Sequence, residues 1–121
     1  MAYEFTVLSP DGEPAIVQLT KTSDALPAGW ALITYDETKP ERCVLWMIHV
    51  RERERRKGYG RALIAYLMDS FDEIVTHYEV GIVNAAGTKL CLACGFVMKP
   101  SLFKKQASEL VWRKPEEPKD G

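Results

Sequence analysis

An apolar strand, a basic glycine loop and an amphipathic helix follow one another without a break between residues 43 and 71, and no other stretch limits the fold so tightly. Cys43–Val50 reads as a strand in which Val44, Trp46, Ile48 and Val50 alternate with Leu45, Met47 and His49. Both alternating sets are largely apolar, which predicts a strand buried on both faces in the middle of a sheet. Leu63, Ile64, Leu67, Met68 and Phe71 then recur at helical spacing, so Tyr59–Phe71 is a helix with one apolar stripe. A further strand is expected where Tyr78, Val80 and Ile82 alternate with His77, Glu79 and Gly81. Strand, helix and strand in this order require a right-handed parallel crossover.

Before residue 43 no window keeps a helical period. Tyr3–Leu8 and Ala15–Leu19 are short apolar-rich runs on either side of Ser9-Pro10-Asp11-Gly12, which predicts a hairpin. Trp30–Tyr35 reads as another strand, and Asp36–Arg42, with Pro40, as a polar turn. Beyond the crossover, Asn84 opens a second helix that turns Leu90, Cys91 and Cys94 to the core and closes at Gly95. Phe96–Met98 and Leu110–Trp112 are two final strands. The expected fold is therefore α/β, a mixed sheet flanked by helices, as a single domain over residues 1–114 with a polar disordered tail over 115–121. No apolar run approaches the ~18 residues of a membrane span, and the first residues lack the basic and apolar regions of a secretory signal. Three cysteines, an odd number, fit a reducing compartment better than a disulfide scaffold. A cytoplasmic protein without a membrane partner is the expectation.

Between Arg51 and Arg61 six cations face two carboxylates, Glu52 and Glu54, so a segment of net +4 sits in a chain of net −1. With a pI of 6.1, such a local concentration suits a compact anion better than nucleic acid lying along a face. A solvated loop is the plain alternative. The run Arg55-Arg56-Lys57-Gly58-Tyr59-Gly60-Arg61-Ala62 enters a helix, whose N-terminus exposes unpaired N–H groups and partial positive charge. Gly58 and Gly60 would let the backbone approach a pyrophosphate, or would serve only a tight turn into the helix. No Lys-Ser or Lys-Thr pair follows at Walker spacing, and antiparallel structure ahead of the loop argues against a dinucleotide-binding repeat. Cys91-x-x-Cys94 has no matching second knuckle among Cys43, His49 and His77, so no metal is expected.

The segment Val50–Gly60 resembles the acetyl-coenzyme A loop of the GNAT acyltransferase superfamily, in which an apolar residue stands five positions before R/Q-x-x-G-x-G/A. Val80-x-x-x-Asn84, Leu90 and Gly95-Phe96 are similar to the family's next strand and helix, so the two motifs cover about residues 44–97. The resemblance implies that acetyl-coenzyme A is the co-substrate. Its binding residues would be His49, Val50, Arg55, Arg56, Lys57, Gly58, Tyr59, Gly60, Arg61 and Ala62, with Asn84 either touching the ligand or only capping its helix. It implies further that the pantetheine arm lies between two splayed parallel strands, here Leu45–Val50 and Tyr78–Val83. The Val50 amide would polarise the thioester carbonyl, and the acetyl group would pass directly to a primary amine.

Three departures from the family pattern bear on catalysis. Where the family commonly has a tyrosine that protonates the departing thiolate, this chain has Cys91, which is either the acid or a small core residue. The central strand has no carboxylate, which leaves His49, and Glu79 on the neighbouring strand, as candidate bases. The two helices that usually follow the first strand are missing, so the acceptor site is open or is completed by another subunit, as in a homodimer. An open site suits a protein or peptide amine better than a small molecule in a deep cavity. Loss of acid and base would instead fit a non-catalytic acyl-coenzyme A sensor or interaction module.

Overall fold

Short apolar runs separated by polar turns build the first half of one sheet: β1 (Tyr3–Leu8), β2 (Ala15–Lys21), β3 (Pro27–Tyr35) and β4 (Arg42–Val50). There follow α1 (Tyr59–Ser70), β5 (Glu73–Glu79), α2 (Ala85–Ala93), β6 (Val97–Pro100) and β7 (Ala107–Arg113). This computed structural model describes residues 3–9, 14–23, 26–79, 85–100 and 107–115. Most of the Ser9–Gly12 turn, the expected strand beyond Glu79, Asn84 and nearly all of the tail lie outside them. The strands order as β1-β2-β3-β4-β5-β7-β6, antiparallel throughout except for β4 beside β5. The element order matches the sequence reading, and the fold is the expected mixed α/β sheet.

Both helices pack on one face. Leu63, Ile64 and Leu67 of α1 and Cys91 of α2 share a single core cluster with Ala15, Val17 and Leu19 of β2, Ala31 and Ile33 of β3, and Cys43 and Leu45 of β4. The helix stripe predicted over Tyr59–Phe71 is thus the buried one, although α1 stops at Ser70 and Phe71 caps it by donating its N–H to the Leu67 carbonyl. At the end of α2, Gly95 has φ +98°, a left-handed value that a side chain disfavours. Its amide reaches the Leu92 carbonyl and that of Phe96 reaches Cys91, the paired bonds of a Schellman turn.

Two expectations need correction. β4 is not buried on both faces: Trp46 is 57% and Met47 47% exposed. Both helices cover the opposite face, and a β-bulge shifts the alternation besides, since Ile33 pairs with Leu45 but Leu32 with Met47, leaving Trp46 as an extra residue. The bulge flips the alternation, so Cys43, Leu45, Ile48 and Val50 share the helix-covered face while Val44, Met47 and His49 share the other. Second, β5 begins at Glu73, five residues before the expected start at Tyr78. Its first residue is charged because it is ion-paired, to Arg42 on β4 and Arg113 on β7.

The parallel ladder between β4 and β5 is short. Arg42, Cys43 and Val44 pair with Glu73, Ile74 and Val75, and among the described residues no pairing of these strands continues beyond Val44. β5 carries on against β7 as far as Glu79 and Ala107. Leu45–Val50 therefore splays away from β5, and a gap opens toward the C-terminal end of β4. Among the described residues, no helix is long and apolar enough to cross a membrane.

Candidate active site

A cleft of about 380 Å³ lies where β4 ends, walled by the basic loop, the first turn of α1 and the α2 residues Gly87 and Leu90. The backbone sets its geometry. The Arg51 amide donates to the Ala28 carbonyl of β3 at 2.9 Å. Successive backbone groups on a strand point to alternate sides, so the Val50 amide and carbonyl point away from β3 and into the gap. The Nε of Arg55 donates to that Val50 carbonyl at 3.2 Å, folding the loop back over the strand end.

A single turn of 3₁₀ helix, Glu52–Glu54, carries the chain out of β4, unannounced by any pattern in the residues. Left-handed residues then reverse the chain, Arg56 at φ 67° and Gly58 at φ 84°. Gly58 stands at the helix N-cap and has no side chain to bond the first-turn amides, and no side-chain cap is seen among the described residues. The first intrahelical bond runs from the Ala62 amide to the Gly58 carbonyl at 3.0 Å. The amides of Tyr59, Gly60 and Arg61 therefore lack helical partners and stand at the cleft with partial positive charge.

The two glycines serve different ends. A Cβ at Gly58 would meet nothing within 4 Å, so glycine there answers to backbone conformation. A Cβ at Gly60 would stand 2.7 Å from Cδ2 of Leu90, so this glycine lets α2 close against α1. Packing against Leu90 is thus a further reason for glycine at position 60, beside the cleft that it lines.

Of the expected cofactor residues, His49, Val50, Arg55, Arg56, Gly58, Tyr59, Gly60 and Arg61 line the cleft. Lys57 and Ala62 do not. Lys57 donates to Glu54 at 3.0 Å, and Glu54 also accepts from Lys21 of β2 at 3.1 Å. Hydrogen bonds from Lys57 and Lys21 hold the Glu54 carboxyl below its usual range. Ala62 packs against the core and spends its amide inside the helix.

The expected catalytic residues are placed as follows. His49 lies at the cleft with its ring 4.7 Å from that of Trp30. Glu79 is held opposite Ala107 in the β5–β7 ladder, and its side chain lies outside the described residues. Cys91 is 3% exposed and belongs to the core, where burial and then the neighbouring Cys94 push its thiol up to about 11. The α2 residue that reaches the cleft is its neighbour Leu90. Sequence reasoning missed Ile48, Glu54, Gly87 and Leu90 as lining residues. The spacing of Gly87 and Leu90, one helical turn apart, is the signal that could have found the last two.

A parallel strand pair that opens into a gap beside an uncapped, glycine-bearing helix N-terminus is the architecture of the acyl-coenzyme A N-acyltransferases. The family model for the Acetyltransferase (GNAT) family matches residues 3–96, and the chain belongs to that family. Among solved structures, it is similar to the ribosomal-protein-S18-alanine N-acetyltransferase from Escherichia coli (TM-score 0.64, 19% identity, 92% of this chain and 76% of that one). It is similar also to the NatC complex bound to Gag peptide and coenzyme A (TM-score 0.61, 20% identity, 83% and 71%). A third likeness is to yncA from Salmonella typhimurium, solved with its cofactor acetyl-coenzyme A (TM-score 0.58, 17% identity, 87% and 67%). At these identities the likeness speaks to the fold. No curated protein matches the chain significantly.

Proposed function

We propose that the chain is an N-acetyltransferase that moves an acetyl group from acetyl-coenzyme A directly to a primary amine, on a peptide or a small molecule. The observation that carries this reading is the Val50 amide, turned into the gap at the head of a cleft whose other wall is the α1 N-terminus. The Tyr59, Gly60 and Arg61 amides, with Arg56 and Arg61, suit the pyrophosphate. The Val50 N–H then stands where negative charge gathers on the thioester oxygen. In the reaction the amine nitrogen bonds to the carbonyl carbon, the carbon–sulfur bond breaks and coenzyme A leaves as thiolate. His49 takes the proton that the nitrogen sheds, with Glu79 as the further candidate base. A second reading, a non-catalytic acyl-coenzyme A sensor, is favoured by one observation: the Cys91 thiol sits in the core and not at the cleft.

Two measurements separate the readings. Acetyl-coenzyme A at 100 times its dissociation constant should add about 2.7 kcal/mol of stability and raise Tm by roughly 10 °C. A folded protein whose melting ignores millimolar acetyl-coenzyme A has neither function. Given binding, release of thiol with any of a panel of peptide and small-molecule amines supports the enzyme. Binding without release across the panel supports the sensor.

A further inference from the structure

Gly29 stands on β3 directly opposite Val50, the last residue of β4, and is buried under Leu63 of α1. Its φ is not left-handed, so backbone conformation does not call for glycine here. Space does. The Arg51 amide donates to the Ala28 carbonyl beside this pair, which makes Gly29 and Val50 a non-hydrogen-bonded pair, the kind whose side chains stand closest. The alternation that turns the Val50 N–H into the gap turns the preceding carbonyl, that of His49, toward β3. A Cβ at Gly29 would stand 2.8 Å from that His49 oxygen, and 3.3 Å from both Leu63 Cδ1 and Val50 Cγ2. The last two are side-chain tips that can turn aside. The oxygen is main chain and moves only with its peptide.

That peptide is the one that matters for the chemistry. The His49 carbonyl and the Val50 N–H belong to a single planar group, so whatever displaces the oxygen also displaces the N–H on its other side. We propose that Gly29 is a positioning residue for this donor: the side chain it lacks leaves the His49–Val50 peptide where its N–H meets the thioester oxygen. The inference rests on the transferase reading, which gives the Val50 amide that task.

A side chain at position 29 would press on both strands, and the sheet decides which one yields. β3 is paired along both edges, to β2 and to β4, and its Ala28 and Ala31 belong to the buried core. The end of β4 has β3 on one edge and, among the described residues, no strand on the other. It is the softer partner, so the crowding moves its last peptide. Ordinary contact with the oxygen needs about 0.6 Å more separation. A donor to an oxyanion works over a narrow range, roughly 2.7 to 3.1 Å, and a displacement of that size takes it out of range.

The test reads the thioester carbonyl itself and needs no acceptor. Acetyl-coenzyme A carrying carbon-13 at that carbonyl is bound to each protein, and the stretch is recorded by isotope-difference infrared spectroscopy. In the wild type the band is expected below its frequency in free acetyl-coenzyme A, as a hydrogen bond to the oxygen requires. Gly29→Ala is expected to lose at least half of that shift. Its affinity for coenzyme A should be nearly unchanged, because the groups placed at the pyrophosphate lie on the loop and α1. The double variant Gly29→Ala/Leu63→Val removes the Leu63 tip, which gives the fold room, but keeps the backbone contact, and should lose the shift equally. Leu63→Val alone should keep it. A folded Gly29→Ala or double variant with the full wild-type shift overturns the proposal and leaves the transferase reading standing. Leu63→Val losing as much shift as Gly29→Ala overturns it too, since loosened packing would then account for the loss. A wild-type band at the free frequency, with ligand bound, parts the Val50 amide from the thioester and defeats the transferase reading, and this proposal with it.

Discussion

Gly60 and Leu90 are packed so closely that a single added methyl at Gly60 would lie 2.7 Å from the Leu90 Cδ2, joining the first turn of α1 to the middle of α2. Gly60→Val should destabilise the fold by roughly 1 to 3 kcal/mol, the usual cost of overpacking. Leu90 is a flexible side chain, so Leu90→Ala should recover part of that loss in the double variant. A urea-denaturation cycle over the two singles and the double measures the coupling. Strictly additive singles would mean that the helices do not meet at this point.

Cations in the loop should contribute unequally to coenzyme affinity. Arg56 lines the cleft and has no ion pair among the described residues, whereas Lys57 is engaged by Glu54. Arg56→Ala should weaken coenzyme A binding about tenfold, in line with loss of one charge-assisted hydrogen bond, and should flatten its salt dependence. Lys57→Ala should change affinity less. Calorimetric titrations at two salt concentrations check the order, and a larger loss for Lys57→Ala would reverse the assignment.

His49→Ala should lower turnover ~10²-fold or more while leaving coenzyme binding nearly intact. The accompanying readout is the pH–rate profile. If His49 accepts the amine proton, the limb it controls disappears in the variant. A profile identical to wild type removes His49 from the mechanism.

Stability should fall in alkali, for a reason that can be traced to two thiols. Burial pushes Cys43 up to about 12, and burial with Cys94 nearby pushes Cys91 up to about 11. In the unfolded chain both titrate near 9, so above that pH the unfolded state has lost protons that the folded state keeps. Each thiol then costs about 1.4 kcal/mol of stability per pH unit until its folded pKa is reached. Urea denaturation from pH 8 to 10.5 should show the decline, and Cys43→Ala should reduce its slope even if it lowers stability at every pH.

The sequence announced those features that repeat with a fixed period. The α1 stripe of Leu63, Ile64 and Leu67 was legible because helical spacing survives local irregularity, and Gly95 because a left-handed helix end has few alternatives to glycine. β4 misled because apolar residues on both faces do not say whether both are covered, and both helices cover the same one; the extra residue at Trp46 also inverts parity for everything beyond it. β5 was begun too late because Glu73 looks like a loop residue until Arg42 and Arg113 are seen beside it. The loop's composition announced a cluster of cations, but not which of its groups face the cleft. That depends on Glu54, whose partner Lys21 lies 33 residues away. Cys91 shows the limit of motif alignment: α2 turns this residue into the core, and its neighbour Leu90 is the one that reaches the cleft.

The three residue pairs joining β4 to β5 behave as the apex of a wedge. Glu73, gripped from both sides by Arg42 and Arg113, pins the strands where they are closest. From there to Val50 the arm of β4 that pairs with β3 but not with β5 is six residues long, or about 20 Å at strand rise. A lever of that length turns a change of about 3° at the apex into roughly 1 Å at its tip, and displacement of that size is enough to cost an enzyme much of its rate. Residues at the closed end of the wedge, remote from the cleft, thereby set the width of the gap at Val50.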